Sequence, residues 1–214
     1  MFIFEQIRTG GDRNFAYLIG DRAAGEAVLI DPSFNPQEVV ERARQQHLRV
    51  THVLNTHGHQ DHTNGNAEAQ RLTGAPLVAH RSAASGPQVP VDHGDTLKVG
   101  AFTVEFLYTP GHASDHLCVR VDDVCLTGDL LFVGKVGGTA TREASEVEYH
   151  SLHDVLLKLP DATTIWPGHD YGCRPASTLA LEKRTNPFLL CPSLEAFLEL
   201  KQSWSRYKQE HGLK

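Results

Sequence analysis

Val50-Thr51-His52-Val53-Leu54-Asn55-Thr56-His57-Gly58-His59-Gln60-Asp61-His62 is the stretch that decides how this chain reads. Val50 to Leu54 is a short apolar, β-branched run of the kind that forms a strand. It ends abruptly in four metal-capable side chains within six residues: His57, His59, Asp61 and His62. Delivered at the end of a strand and the start of a helix, these side chains can point into one cleft. Imidazole and carboxylate suit zinc or iron, and a catalytic site leaves one coordination position open. Gly58 permits a tight backbone path between the two alternate histidines.

Three more candidates share a local form, each following an apolar strand and accompanied by glycine. They are His112 in Thr109-Pro110-Gly111-His112, Asp129 in Leu126-Thr127-Gly128-Asp129, and His169 in Trp166-Pro167-Gly168-His169. Taken singly, each has an ordinary explanation: a loop histidine is commonly solvated, Asp129 suits a turn, and His169 suits a helix cap. Taken together, five imidazoles and two carboxylates from four strand ends predict a metal centre.

The rest of the composition agrees. Thirteen histidines in 214 residues exceed what a core needs, and the formal net charge of −6, with 20 scattered Lys and Arg, argues against a nucleic-acid partner. Cys118, Cys125, Cys173 and Cys191 form no CxxC pair and are expected to be reduced thiols. The opening Met1-Phe2-Ile3-Phe4-Glu5 has no basic leader, and no stretch approaches the length of a membrane span, so a cytoplasmic protein without a membrane partner is expected.

Strands are expected at 2–7, 14–19 and 27–30 as an antiparallel meander, then a helix at 36–47, the strand 50–54, a helix at 63–73 and a strand at 76–79. The Gly- and Pro-rich stretch 85–95 reads as a loop. Strands at 96–99, 101–108, 116–121 and 124–127, a helix at 145–158, a strand at 163–166 and helices at 176–185 and 193–209 follow. This is an α+β order with sheets covered by helices.

The chain resembles the metallo-β-lactamase superfamily in these motifs, from the opening strands to Arg184-Thr185-Asn186-Pro187-Phe188. The resemblance implies a four-layer αββα sandwich over residues 1–214, one domain with a short helical extension from about 186, and metals at one edge. By the same resemblance His57, His59 and His112 would hold a first metal, Asp61, His62 and His169 a second, and Asp129 would bridge.

Within the superfamily the chain is similar to glyoxalase II, the hydroxyacylglutathione hydrolases, and to persulfide dioxygenases. Both groups resemble it in the Thr-His-x-His-x-Asp-His run, in Gly128-Asp129-Leu130-Leu131-Phe132, and in Tyr149-His150-Ser151-Leu152 leading to Leu159-Pro160. The first implies a small-molecule thioester cleaved with two divalent ions, zinc or else iron or a mixed pair, Asp61 orienting the attacking water. The second implies one iron on residues equivalent to His57, His112 and Asp129, oxidising a thiol-derived persulfide; lactone or other ester hydrolysis is a third reading. Gly168-His169-Asp170-Tyr171 looks like the dioxygenases, whereas Thr63-Asn64-Gly65-Asn66 looks like the hydrolases.

Both groups carry a basic residue where this chain has Gly138, so Lys135 or Arg142 is expected to replace it, with Tyr171 and Arg174 as further substrate contacts. His80, His93, His116, His150 and His153 read as surface or structurally satisfied groups. The stripe Leu194, Phe197, Leu198, Leu200 and Trp204 suits a helix core or a dimer contact, and a monomer or homodimer is expected.

Overall fold

A computed structural model describes residues 1–212 of the chain. The strands β1 (Phe2–Gly10), β2 (Asn14–Asp21) and β3 (Glu26–Ile30) pair antiparallel, as the short runs and tight turns predict. Helix α1 (Pro36–Gln45) is capped by Asn35, whose side chain accepts from the Glu38 N–H, and Pro36 occupies its first turn. The helix stops two residues before the expected end because His47 turns into the left-handed region at φ +59°. The chain then enters β4 (Arg49–Leu54), a single helical turn α2 (Gln60–Thr63), α3 (Asn66–Thr73), β5 (Leu77–His80) and β6 (Val89–Val91). Two of these correct the sequence reading. The turn α2 begins ahead of the helix expected at 63 and carries Asp61 and His62, while β6 lies inside the expected loop. Pro90 hides β6 in the sequence, yet the strand forms the edge of its sheet, where a missing N–H is tolerated.

The second half runs β7 (Thr96–Val99), β8 (Phe102–Tyr108), β9 (Leu117–Val121), β10 (Val124–Gly128), a small hairpin β11 (Leu131–Phe132) and β12 (Lys135–Val136), and α4 (Arg142–His150). It closes with β13 (Thr164–Pro167), β14 (Ser177–Thr178), α5 (Leu179–Thr185) and α6 (Leu194–Glu210). The helix expected at 145–158 is three pieces. Thr141 caps α4 three residues earlier than expected, and after His150 the backbone widens into a π turn over Ser151–Val155 and tightens into a 3₁₀ turn over Leu156–Lys158. The widened turn places the Ser151 hydroxyl to donate to the Pro110 carbonyl at 2.6 Å, beside His112.

One sheet has the order β1-β2-β3-β4-β5-β6 and the other β14-β13-β10-β9-β8-β7. Three apolar clusters make the layers. Phe15, Tyr17, Ile19, Val28 and Ile30 of the first sheet meet Val104, Phe106, Val119 and Leu126 of the second. The alternate residues Ala16, Leu18, Ala27 and Leu29 pack outward against Val39, Val40 and Ala43 of α1 and Ala69 of α3. On the far side Cys118, Cys125 and Ile165 pack beneath Leu152, Leu179, Phe197 and Leu198. Both faces of β2 are therefore buried, and its unbroken apolar run follows from that. The architecture is a four-layer αββα sandwich. No helix among the described residues is long and apolar enough to cross a membrane.

Candidate metal centre

All seven expected ligands stand at one edge of the sandwich. His57 follows β4, His59 caps α2, Asp61 and His62 lie on α2, and His112, Asp129 and His169 follow β8, β10 and β13. The two sheets are stitched together here. The Phe15 N–H donates to the Gly168 carbonyl and the Gly168 N–H to the Gly128 carbonyl, each at 2.8 Å. Glycine is required at these turns for two reasons. Gly128 adopts φ +46°, and a Cβ on it would lie 2.6 Å from His116 Nε2; at Gly168 a Cβ would lie 2.4 Å from Asp129 Oδ1.

The donor atoms converge in overlapping groups. His57 Nε2 and His112 Nε2 each lie 3.0 Å from His59 Nδ1. On the other side His62 Nε2 and His169 Nε2 are 3.2 Å apart, with Asp61 Oδ2 at 3.6 and 3.3 Å from them. Asp129 reaches both sides: Oδ1 is 3.4 Å from His62 Nε2, and Oδ2 is 3.6 Å from His112 Nε2 and 3.3 Å from His169 Nε2. His57-His59-His112, His57-His62-Asp129 and Asp61-His62-His169 each bring their donor atoms within 4.8 Å of one another.

The hydrogen-bond network fixes which ring nitrogens face inward. His62 Nδ1 donates to Asp31 Oδ2 at 2.9 Å, His112 Nδ1 to the Gly138 carbonyl at 2.7 Å, and His169 Nδ1 to the Asp12 carbonyl at 2.8 Å. His57 Nδ1 meets Thr56 Oγ1 at 3.1 Å, and that hydroxyl donates to Asp31 Oδ2 at 2.6 Å. With Nδ1 committed to these acceptors, Nε2 is the nitrogen that faces the centre, and its lone pair is the one a metal would use. Two observations fit divalent cations here. Donor atoms 3.0–3.6 Å apart lie close to the edges, about 3.3–3.4 Å, of a tetrahedron with bonds of about 2.0–2.1 Å. Asp129 Oδ1, buried, has no hydrogen-bond partner.

Electrostatics follow the same layout. Burial, with the neighbouring His62, keeps the His57 imidazole well below its ordinary pKa. Burial opposes ionisation of Asp129, but the adjoining His169 and His62 rings hold its carboxyl well below the carboxylate range. Among the seven candidates Asp61, with its side chain 40 % exposed, and His59 are open to solvent. Asn14 Nδ2 steadies Asp61, donating to Oδ2 at 3.0 Å.

Three residues outside the expected set complete the site. Asp31 accepts from Thr56 N–H, Thr56 Oγ1 and His62, with the Asn55 amide at 3.3 Å, and so orients a ring on each side of the centre. Its signal in the sequence was an aspartate ending the apolar strand Val28-Leu29-Ile30, the same form as Gly128-Asp129 without the glycine. Asn14 carried no signal. His116, read as a surface or structural group, is fully buried, its Nδ1 donating to Thr109 Oγ1 at 2.9 Å and its Nε2 accepting from the Asp129 N–H at 3.2 Å. Burial, reinforced by His112, pushes its pKa down to about 3, so it serves as a neutral brace for Asp129.

The expected substrate contacts separate into two kinds. Tyr171 stacks on His169 with ring centres 4.7 Å apart, donates to Asp12 Oδ2 at 2.5 Å, and carries Lys135 Nζ 3.9 Å and the Arg13 guanidinium 4.8 Å from its ring centre. Lys135 lies between two clefts of about 460 and 350 Å³, both walled by Trp204 of α6. No candidate ligand lines either cleft, but Gly138, which holds His112, lines the larger. Arg142 also lines the larger cleft, with its charge paired to Glu195 at 2.8 Å and Glu146 at 3.2 Å. Arg174 is exposed and lines neither.

A family model described as the metallo-beta-lactamase superfamily matches residues 9–169. A hydroxyacylglutathione hydrolase of Polaromonas sp. is 40% identical over 177 residues, covering 79% of this chain and 67% of its own length. The mitochondrial persulfide dioxygenase ETHE1 of Homo sapiens is 32% identical over 192 residues, covering 87% of this chain and 75% of its own. The crystal structure of ETHE1 from Myxococcus xanthus, 36% identical, superposes with a TM-score of 0.89 over 94% of this chain and 91% of that one. With its αββα layers and its His and Asp cluster at one edge, this chain belongs to the metallo-beta-lactamase superfamily.

Proposed function

We propose that this chain is a hydrolase of small-molecule thioesters, of the hydroxyacylglutathione class, working with two divalent ions. His57, His59 and His112 would hold one, Asp61, His62 and His169 the other, and Asp129 would bridge them. The observation that carries the reading is Asp129, whose two oxygens face donors of both sets while Oδ1 has no hydrogen-bond partner. Zinc suits the imidazole and carboxylate donors, as do iron or a mixed pair. When bound, such ions generate a nucleophile from water near neutral pH and polarise a carbonyl.

The protein's own residues supply positioning. Asp61, solvent-facing and steadied by Asn14, accepts a hydrogen bond from the attacking water and aims it at the carbonyl carbon. The carbon–sulfur bond then breaks, and the thiolate, with a conjugate pKa of about 8.5, departs without a dedicated protein acid. Arg13 and Lys135, gathered around Tyr171, attract the anionic end of the thiol carrier toward the clefts beside α6. The similarity at 40% identity to a hydroxyacylglutathione hydrolase supports this reading.

A second reading, persulfide oxidation with one iron, is favoured by one comparison: the structure of ETHE1 from Myxococcus xanthus is 36% identical and superposes with a TM-score of 0.89. Thiol release from a hydroxyacylglutathione and oxygen uptake with glutathione persulfide, measured on the same preparation, separate the two. Thiol release without oxygen uptake is expected, and the reverse result transfers the assignment to the dioxygenase.

A further inference from the structure

His57 and His62 direct an outer nitrogen at buried acceptors, the Thr56 hydroxyl backed by Asp31 and Asp31 itself, and His169 directs one at the carbonyl of Asp12 in the β1–β2 hairpin. His112 relies on a different loop. Its acceptor is the carbonyl of Gly138, in a loop whose two successive glycines, Gly137 and Gly138, have no side chains to anchor it. The Gly137 N–H donates to the Leu130 carbonyl at 3.3 Å, and a second anchor, on the Gly137 carbonyl, comes from α6. Lys201 Nζ donates to the Gly137 carbonyl at 2.9 Å and pairs with Glu148 of α4, whose side chain is fully buried. Gly137 is wedged in place, since a Cβ there would lie 2.0 Å from the Asp129 carbonyl oxygen and 3.2 Å from Glu148 Oε1. Glu148 also backs the other side of His112: a Cβ on Gly111 would fall 2.4–2.7 Å from Glu148 backbone and Cβ atoms.

A buried ion pair is a poor source of net stability, because desolvation offsets most of the attraction and apolar residues of similar size commonly do as well. What apolar residues could not do is hold the Gly137 carbonyl. We propose that Lys201 is a positioning residue for the metal centre: with Glu148 it fixes the Gly137-Gly138 loop so that His112 presents Nε2 to the first ligand set. The last helix of the chain thereby becomes a working part of that set. The inference rests on the reading of His112 as a metal ligand given above.

The test uses Lys201→Met, Lys201→Arg and the double variant Glu148→Leu/Lys201→Met in the full chain. The double variant removes the buried charge pair with little change of volume and keeps the fold testable if the single methionine variant does not fold. In metal-free protein, ¹⁵N spectra of the imidazoles are expected to show His112 as the Nδ1–H tautomer in the wild type and as a tautomer mixture in the double variant. In cobalt(II) and zinc titrations one of the two sites should weaken about 10–100-fold while the other is unchanged. Lys201→Arg should restore both readouts. A double variant that melts like the wild type, keeps the His112 tautomer and binds both ions with unaltered affinity overturns the inference. If the wild type takes up no divalent ion, the metal reading above fails, and the tautomer measurement still decides the role of Lys201.

Discussion

Asp31 reaches both sides of the centre without belonging to either, which makes Asp31→Asn an incisive perturbation. Four donors surround the carboxylate: the Thr56 N–H at 2.9 Å, Thr56 Oγ1 at 2.6 Å, His62 Nδ1 at 2.9 Å and the Asn55 amide at 3.3 Å. Whichever oxygen becomes the NH₂ group, two buried donors then face another donor. Hydrogen bonds to a charged group contribute about 1.5–3 kcal/mol each, so the loss should be about 3–6 kcal/mol. For a chain of this size that lowers the melting temperature by roughly 6–24 °C. The orientation of His62 is lost directly and that of His57 through Thr56, so both sets should weaken, each by about 10–100-fold. Differential scanning calorimetry of the metal-free protein and zinc titration against a competing chelator measure the two effects separately. A variant that melts within roughly 2 °C of the wild type and binds metal normally would refute the argument, since the Asp31 bonds would then carry neither stability nor orientation.

Three other perturbations have definite outcomes. Burial, only partly offset by Lys201, pushes the Glu148 carboxyl up to about 7, against an ordinary value of 4.5. Because the folded state holds the proton longer, stability should fall by about 3 kcal/mol as pH rises from about 4.5 to 7 and level off above that, and Glu148→Gln should flatten this part of a denaturation series. Lys135→Met removes the cation over Tyr171 and should raise KM for an anionic thioester about 10-fold with kcat little changed; a fall in kcat with KM unchanged would place Lys135 in the chemical step. Gly111→Ala puts a Cβ 2.4 Å from Glu148 at a φ of +139°, so it should cost about 1–3 kcal/mol on chemical denaturation and displace His112, with most of the activity lost.

What was legible in the sequence divides along physical lines. The convergence of the seven candidates at one edge was legible because metal chemistry calls for particular side chains at strand ends, and they recur in a few local forms around His57, His112, Asp129 and His169. The layers were legible because strands such as β2, buried on both faces, read as unbroken apolar runs. The support was not. Asn14 and Lys201 reach the site from the first hairpin and the last helix, and no local pattern relates residues so far apart in the chain. His116 looked like one spare imidazole among several, because its role comes from burial against Asp129 and Thr109. The π turn after His150 has no local mark in the sequence, and its first residue meets Pro110, in a distant segment. Arg142 stands out in the sequence as a basic residue four positions after Gly138, and only the fold brings Glu195 of α6 alongside to pair with it.

The central claim is a pair of ions joined by Asp129, and metal content tests it most directly. Protein purified without added metal should carry two divalent ions per chain by elemental analysis, and the His169→Ala variant should carry one and lose most thioester turnover. A wild type with a single iron, unchanged in content and activity when His169 is replaced, would contradict it.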